Sequence, residues 1–236
     1  IPGLDMMPRG ITMEDSLEIA PLLERAGASA LSVMPGWYET RLPRHQLYAD
    51  RGAFVYLAQA IKKIVNIPVV TNMRINTPEL ANDIVAGGRA DMVALGRPLM
   101  ADPEFPNKYR EGRAAEIRHC VACCVCYEEI GMDEPCRCSV NPKFGLPAEP
   151  ELRPAEKPRR VLVAGAGPAG LEASRVTALR GHRVTLYEQA GEIGGQLRFA
   201  VLPPHKAEWQ TLIDYYAHEM ARLGVDVRLK SELTPE

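Results

Sequence analysis

All six cysteines of the chain lie between Cys120 and Cys138. They fall in the segment 119–142, which reads H-C-V-A-C-C-V-C-Y-E-E-I-G-M-D-E-P-C-R-C-S-V-N-P. Cysteines that serve only as small apolar residues would be scattered through a core, so this concentration indicates that the thiols act together as ligands. The fold must therefore bring one short stretch of backbone around a shared site.

Three kinds of site use clustered thiols. Disulfides are the least consistent with this chain, because no cysteine lies elsewhere and the flanking segments are typical of a cytosolic cofactor enzyme. A four-thiolate zinc site could combine the C-x2-C pair Cys120 and Cys123 with the later pair Cys136 and Cys138. An iron–sulfur cluster could use Cys120, Cys123 and Cys126 with one more distant thiolate. The tight C-x2-C-x2-C run favours a 4Fe-4S cluster.

The composition is that of an ordinary globular protein. Of 236 residues, 46% are hydrophobic and 25% charged, and the net charge is −2. This near-neutral balance gives no footprint for nucleic acid, and no apolar run approaches the roughly 20 residues of a membrane helix. We therefore expect a soluble, cytoplasmic protein with a small-molecule substrate and neither nucleic acid nor a membrane as partner. A second copy of the chain or an electron-transfer protein stays open.

Before the cysteines, strand and helix patterns alternate at lengths typical of βα units. Thr12 and Asp15 predict a capping box for a helix that Gly27 ends, and Thr77-Pro78 predicts another helix start. Apolar strands are predicted at 30–34, 67–71 and 91–95, and a further helix at 52–65 with an inner face of Phe54, Leu57, Ala58, Ile61 and Ile64. The alternation predicts an α/β fold with a parallel sheet. Three strands are too few to close a TIM barrel, which needs eight.

Two loops that follow these strands carry candidate anion-binding residues. Arg74 lies in T-N-M-R-I-N-T-P after the second strand, and Gly96-Arg97 opens L-G-R-P-L-M-A-D-P after the third. Backbone N–H groups at a helix start, reached closely because Gly96 has no side chain, suit a phosphate, and a guanidinium adds a charged fork. The alternative is that both arginines are surface residues paired with acids.

After the cysteines, a second fold pattern begins. Residues 143–158 are rich in proline and without hydrophobic periodicity, which is typical of a linker. The strand 161–164 then enters the glycine-rich turn 165–170, G-A-G-P-A-G, and a helix to about Arg180 and the strand 183–187 follow. This strand–turn–helix context makes the G-x-G-x-x-G pattern a dinucleotide-binding fingerprint.

Each residue of this fingerprint has an expected role. Gly165 makes the turn, Gly167 admits the pyrophosphate, and Gly170 lets the helix pack on the sheet. Glu188, at the end of the second strand, should accept hydrogen bonds from the adenosine ribose, which favours FAD or NAD over NADP. The alternative is a strand–helix unit of this type without a ligand.

Taken together, these strings resemble one family along practically the whole chain. C-x2-C-x2-C followed by C-S-V-N-P, with G-R-P-L-M-A-D-P before and G-A-G-P-A-G after, is similar to the flavin- and iron–sulfur-containing group of 2,4-dienoyl-CoA reductase, 2-enoate reductase and trimethylamine dehydrogenase. The resemblance implies 4Fe-4S ligation by Cys120, Cys123, Cys126 and Cys138. It leaves Cys124 and Cys136 spare, with Cys124 as the alternative third ligand.

The resemblance also implies the other cofactors and their contacts. The N-terminal half would be the C-terminal part of a TIM barrel, where FMN would bind through Arg74, Gly96 and Arg97. FAD would bind in the second unit, where the string 188–197 resembles the FAD-binding half of family members. The residues implied for FAD are Gly165, Gly167, Ala169, Gly170, Glu188, Gln196 and Lys206.

One loop departs from the family. The dienoyl-CoA reductases have G-W-H-E-x-R-x-P where this chain has Gly36-Trp37-Tyr38-Glu39, so that Tyr38 replaces a histidine beside the substrate. A tyrosine can still donate a hydrogen bond or a proton to a carbonyl oxygen, although with its pKa near ~10 it is a weaker acid at neutral pH. Tyr38 is thus the candidate catalytic residue, and a packing role beside Trp37 is the alternative.

The function implied is electron transfer between flavins. NAD(P)H would reduce FAD, the cluster would pass electrons to FMN, and FMN would reduce an activated C=C of an enoate or dienoyl-CoA. The alternatives are an amine dehydrogenase of the trimethylamine dehydrogenase type and, in another class, a zinc-stabilised nucleotide-binding module. We expect a fragment with four parts: 1–115 from the barrel, 116–142 for the cluster, 143–158 as linker, and 159–236 beginning the FAD/NAD(P)-binding domain.

Overall fold

The computed structural model describes residues 1–37, 40, 46–146 and 152–233. It contains two parallel sheets, the N-terminal sheet in the order β1-β2-β3-β4 and the C-terminal sheet in the order β5-β6-β7. The strands are β1 Pro2–Leu4, β2 Leu31–Pro35, β3 Val69–Thr71, β4 Met92–Val93, β5 Arg160–Ala164, β6 Arg183–Tyr187 and β7 Asp226–Arg228. The helices are α1 Met13–Arg25, α2 Val55–Lys62, α3 Pro78–Ala86, α4 Arg97–Ala101, α5 Phe105–Arg110, α6 Val125–Gly131, α7 Pro168–Leu179, α8 Leu197–Ala200 and α9 Gln210–Arg222.

The predicted helix starts of the N-terminal half are confirmed. The Asp15 N–H donates to Thr12 Oγ1 over 3.2 Å, and the Thr12 N–H donates to the Asp15 carboxylate over 2.8 Å, which completes the capping box of α1. The Thr77 hydroxyl caps α3, with Pro78 in its first turn. Both helices therefore begin where short-range hydrogen bonds satisfy their first N–H groups.

The N-terminal sheet has one strand more than the sequence pattern predicted. β1 is only three residues long and contains a proline and a glycine, so it carries no recognisable strand pattern. It pairs in parallel with β2, with Pro2 opposite Met34. β4, by contrast, is shorter than predicted: only Met92 and Val93 pair with β3.

The first hydrophobic core lies between this sheet and its helices. Leu57, Ala58 and Ile61 of α2 are fully buried against Val33 and Val69 of the sheet. The prediction that Ile64 also faces this core was wrong, since Ile64 is 41% exposed. The reason is that α2 ends at Lys62, so the helical period no longer applies and the buried side chain is that of Val65 instead.

The second hydrophobic core includes part of the cysteine segment. Leu171 of α7 and Leu186 of β6 are fully buried, and the side chains of α9 cover them. Val121 and Val140, on either side of the cysteines, are buried in the same cluster. A 3-10 turn at Ala207–Trp209 leads directly into α9. No helix in the described part of the chain is long and apolar enough to cross a membrane.

Gly170 allows α7 to approach the turn after β5. A Cβ at this position would lie 1.9 Å from the carbonyl oxygen of Gly165, which is backbone and has little freedom to move. At Gly167, where φ is −75°, a Cβ would meet no atom within 4 Å.

We predict that Gly170→Ala in the full-length protein lowers the free energy of unfolding of the C-terminal sheet by about 2 kcal/mol or more, since overpacking forces backbone shifts. Chemical denaturation followed by a probe in this unit measures the change. Gly167→Ala is the matched control and should change the same free energy by less than about 0.5 kcal/mol. Equal stabilities of the two variants would contradict the close approach.

Candidate functional site

A cavity of about 320 Å³ lies at the carboxyl ends of β3 and β4. We call it the strand-end cavity, and its polar and cysteine lining consists of Asn72, Arg74, Asn76, Gly96, Arg97, Cys120, Cys126 and Tyr127. Ligands of parallel α/β sheets bind at this edge because the loops from several strands converge there. The structure thus brings the three predicted residues Arg74, Gly96 and Arg97 to one cavity.

The Arg74 side chain is buried and makes more contacts within the protein than we expected of a phosphate-binding arginine. It forms an ion pair with Glu208, from the segment before α9. Its Nε donates to the carbonyl oxygen of Ala49 over 2.7 Å. The prediction that Arg74 binds FMN phosphate stays a prediction, and the ion pair with Glu208 is a contact that the sequence did not indicate.

Two asparagines of the same loop add acceptors that the sequence analysis missed. The side-chain oxygens of Asn72 and Asn76 are buried, and neither has a hydrogen-bond partner among the described residues. A buried acceptor without a donor costs about 1–3 kcal/mol, so a ligand with N–H or O–H groups would be favoured in this cavity. Their only sequence signal was the spacing T-N-M-R-I-N after a strand.

Five thiols surround a second, smaller cavity that adjoins the first. We call it the cysteine cavity, and it is lined by Cys120, Cys123, Cys124, Cys126 and Cys138. Cys120 and Cys126 line both cavities, as do Arg97 and Met100. The two cavities are therefore separated by one layer of side chains.

Cys136 differs from the other cysteines. It does not line the cysteine cavity, and its Sγ donates to the carbonyl oxygen of Cys126 over 3.6 Å. The four predicted ligands thus lie around one space together with the alternative ligand Cys124, while the second spare cysteine lies outside it. Arg97 Nη1 lies 3.6 Å from Cys124 Sγ and brings a positive charge to this wall.

The backbone of the cysteine loop curls around the cavity. Ala122 and Cys124 have positive φ angles of 51° and 66°, and the Ala122 N–H donates to Cys120 Sγ over 3.4 Å. Such N–H···S bonds favour a thiolate, although burial raises the pKa of Cys120 and of Cys126 to about 11 without a metal. The donor set of several thiols around one cavity fits a thiolate-bound iron–sulfur cluster. Among the described residues, no three His, Cys, Asp or Glu side chains converge closely enough to hold a single metal ion.

The glycine-rich turn after β5 forms a separate site. We call it the glycine cleft, and it is lined by Gly167, Pro168, Ala169, Gly195, Gln196, Leu197 and Ala200. Gly165 has φ +90°, which a residue with a side chain rarely adopts, and Gly195 packs so closely on Gly167 that a Cβ would lie 2.8 Å from its Cα. The predicted residues Gly167, Ala169 and Gln196 therefore face one cleft at the start of α7.

Glu188 is built into the turn rather than pointing freely to solvent. Its carboxylate accepts the Ala190 N–H over 2.8 Å and the Ala166 N–H over 2.7 Å. These two backbone hydrogen bonds lower the pKa of Glu188, so it is ionised at neutral pH. The predicted ribose contact would use the remaining lone pairs of the same carboxylate.

One predicted FAD contact lies outside the glycine cleft. Lys206 is half-buried before the 3-10 turn Ala207–Trp209 and is not among the residues that line the glycine cleft. Tyr38, the predicted catalytic residue, lies outside the described residues.

Family comparisons agree with this arrangement. Residues 15–116 match the NADH:flavin oxidoreductase / NADH oxidase family, and residues 163–229 match an NAD(P)-binding Rossmann-like domain. The chain belongs to the NADH:flavin oxidoreductase / NADH oxidase family. The predicted fold class is thereby confirmed: two parallel α/β units, the first like part of a TIM barrel and the second Rossmann-like.

Three curated relatives of this flavin oxidoreductase family match nearly the whole chain. A metal reductase of Desulforamulus reducens is 40% identical over 100% of this chain and 36% of its own length. An NADH oxidase of Thermoanaerobacter brockii is 44% identical over 93% of this chain and 34% of its own length. A cinnamate reductase of Clostridium sporogenes is 35% identical over 100% of this chain and 36% of its own length. The chain thus spans about a third of the length of each of these relatives.

Two solved structures of the family have the same fold over this length. A complex of 2-naphthoyl-CoA reductase with 2-naphthoyl-CoA matches with a TM-score of 0.95 and 35% identity, over 99% of this chain and 36% of that one. Histamine dehydrogenase from Rhizobium sp. 4-9 matches with a TM-score of 0.86 and 30% identity, over 98% of this chain and 34% of that one. Both reductases and amine dehydrogenases therefore share this architecture.

Proposed function

We propose that the chain is part of a flavin and iron–sulfur oxidoreductase that takes electrons from NAD(P)H and reduces an activated C=C. The observation that carries this proposal is the shared wall between the strand-end cavity and the cysteine cavity, formed by Arg97, Met100, Cys120 and Cys126. We also propose the division into 1–115, 116–142, 143–158 and 159–236 as flavin barrel, cluster segment, linker and start of the FAD/NAD(P)-binding domain.

Each site is assigned one cofactor. FMN would be held in the strand-end cavity, a 4Fe-4S cluster by Cys120, Cys123, Cys126 and Cys138, and FAD in the glycine cleft. When bound, the flavins supply hydride chemistry and the cluster supplies single-electron transfer. The strand-end cavity and the cysteine cavity are adjacent, which supports the assignment of FMN and the cluster because electron transfer requires cofactors to lie close together.

The residues of the strand-end cavity would bind and orient the flavin. Arg97 would supply positive charge to a phosphate or to a reduced flavin bound in the cavity. The side-chain oxygens of Asn72 and Asn76, which accept no hydrogen bond from the part of the chain that the structure describes, would accept from ligand N–H or O–H groups. Gly96 leaves open space, since a Cβ there would meet no atom within 4 Å.

The residues around the thiols would keep the cluster dry and charge-balanced. Val121 and Val140 are buried beside the cysteines and exclude water. The Ala122 N–H bonded to Cys120 Sγ stabilises negative charge on sulfur.

Tyr38 is proposed as the donor of a hydrogen bond or a proton to the activating carbonyl of the substrate.

The substrate proposal rests on family relatives. The cinnamate reductase and the 2-naphthoyl-CoA reductase favour an unsaturated acid or its CoA ester as electron acceptor. The histamine dehydrogenase supports the rival, in which the barrel flavin oxidises an amine. A zinc-stabilised nucleotide-binding module is the rival of another class, supported by the C-x2-C pair and the later pair of cysteines.

We predict that the full-length protein, kept anaerobic, oxidises NAD(P)H faster when cinnamate or an enoyl-CoA is added. One NAD(P)H and one proton are consumed per C=C, and mass spectrometry shows the saturated product two hydrogens heavier. Histamine or dimethylamine, added without NAD(P)H, should not bleach the flavin absorbance. Bleaching by the amine with no response to either unsaturated acceptor would instead establish the amine dehydrogenase.

We predict that single serine variants of Cys120, Cys123, Cys126 and Cys138 in the full-length protein lose most of their iron and acid-labile sulfide, because each removes one thiolate ligand. Cys136→Ser is the matched control and should keep the wild-type content, since Cys136 does not line the cysteine cavity. Cys124→Ser tests the alternative ligand: loss of iron there with retention in Cys126→Ser would exchange their roles. One zinc per chain and no sulfide in the wild-type protein would refute the cluster.

A further inference from the structure

One partly buried carboxylate joins the C-terminal unit to the strand-end cavity. The Glu208 side chain, only 14% exposed, lies just before α9 and forms an ion pair with Arg74. Its Oε1 also lies 3.4 Å from Arg51 Nε, and its Oε2 accepts from Asn76 Nδ2 over 2.8 Å. All three partners belong to loops of the N-terminal sheet, so this contact spans the two units.

Two partners of Glu208, Arg74 and Asn76, make further hydrogen bonds to different parts of the N-terminal half and the cysteine loop. Toward the loop after β2, Arg74 Nε donates to the Ala49 carbonyl over 2.7 Å, and the Arg74 carbonyl accepts the Gly52 N–H over 2.9 Å. Toward the thiols, Asn76 Nδ2 donates to the Cys120 carbonyl over 2.8 Å. The Glu208 carboxylate thereby fixes both the loop 46–52 and the backbone of Cys120, the first predicted cluster ligand.

The neighbouring contacts make this arrangement rigid. His119, which precedes Cys120, places Nδ1 2.9 Å from the carbonyl oxygen of Asn76. The rings of Tyr48 and His205 meet edge to face with their centroids 5.6 Å apart, which packs the loop 46–52 against the segment before Glu208. Arg74 and Met73 have positive φ angles of 56° and 73°, a backbone form that persists only when surrounding contacts hold it.

The charge on Glu208 is maintained by these contacts. Burial alone would raise the pKa of Glu208, but the hydrogen bond and charge of Arg74, with Arg51 and Asn76, lower it below its ordinary value. The carboxylate is therefore ionised at neutral pH and compensates the buried Arg74 guanidinium. Removing one partner of such a pair leaves an uncompensated buried charge.

We propose that Glu208 is a positioning residue, through which the C-terminal unit holds Arg74 and Asn76 and, by them, the loop 46–52 and the Cys120 carbonyl. The cysteine loop and the strand-end cavity thus depend on one carboxylate that lies outside the predicted ligand sets. The effect on loop rigidity stands without any cofactor, whereas the effect on a redox potential rests on the proposed function.

The test compares Glu208→Gln and Glu208→Ala with Glu219→Gln in the full-length protein. Glu219 is a matched control because it is also an ion-paired carboxylate, on α9, with Arg222 at 2.7 Å and Arg175 at 3.8 Å. Its contacts among the described residues stay within the C-terminal unit. Glutamine keeps the volume and one acceptor oxygen of glutamate, so Glu208→Gln reports the loss of charge, and Glu208→Ala reports the loss of the whole contact.

Amide hydrogen exchange gives the first readout. In Glu208→Ala, peptides covering 46–52, 74–76 and 119–124 should exchange about tenfold faster or more, and in Glu208→Gln by a smaller factor, because local opening loses its main restraint. Peptides covering β5 and β6 should be unchanged. Glu219→Gln should leave 46–52 and 119–124 unchanged. Unchanged exchange at both stretches in Glu208→Ala would overturn the proposal.

The second readout separates positioning from general stability. Loss of the Glu208 charge leaves Arg74 uncompensated beside the strand-end cavity, so the midpoint potential of the flavin there should become more positive in Glu208→Gln and stay unchanged in Glu219→Gln. Equal shifts in both variants would overturn the positioning role. If the wild-type protein contained no flavin or iron, the proposed function would fail, while the exchange experiment would still decide the role of Glu208.

Discussion

The cysteine segment is covered on one side by loops of the N-terminal sheet and on the other by helices of the C-terminal unit. Val121 and Val140 are buried in the hydrophobic core of the C-terminal unit. On the opposite side, the Asp102 carboxylate accepts the Arg118 N–H over 2.9 Å, and Asn141 Nδ2 donates to the Met100 carbonyl over 2.8 Å. The thiols are therefore held by packing on both sides, and the relation between the cysteine cavity and the strand-end cavity follows from this packing.

Charged side chains also hold the start of the cysteine segment against α7 and α9. Arg118 donates to the Glu172 carboxylate and to the Tyr215 hydroxyl, each over 3.1 Å, and Arg175 pairs with the same carboxylate at 2.7 Å. Burial would raise the pKa of Glu172, but Arg175 and Arg118 lower it, so the carboxylate stays ionised. Buried ion pairs of this kind add little net stability because desolvation offsets their attraction. Their effect here is on geometry, since the Arg118–Glu172 pair ties α7 to the residue that precedes His119 and the cysteines.

The parts of the fold that depend on short-range rules were predictable from the sequence. The capping box of Thr12 and the strand–turn–helix around Gly165 to Gly170 are encoded within a few residues, and both form as predicted. The short strand β1 was missed because its ladder depends on β2, distant in sequence. The pairing of Arg74 with Glu208 was missed for the same reason: no local pattern relates two residues that only the tertiary fold brings together. The side-chain oxygens of Asn72 and Asn76, without a partner among the residues that the structure describes, likewise became visible only once their burial was known.

We propose that an iron–sulfur cluster and a flavin occupy the two cavities that share one wall. Anomalous diffraction from crystals of the full-length protein, recorded at the iron and zinc absorption edges, tests it most directly. We expect an iron signal inside the cysteine cavity, bounded by Cys120, Cys123, Cys126 and Cys138, with flavin density in the strand-end cavity beside Arg97. A zinc signal at the cysteines, or flavin density that does not reach the wall of Cys120 and Cys126, would contradict it.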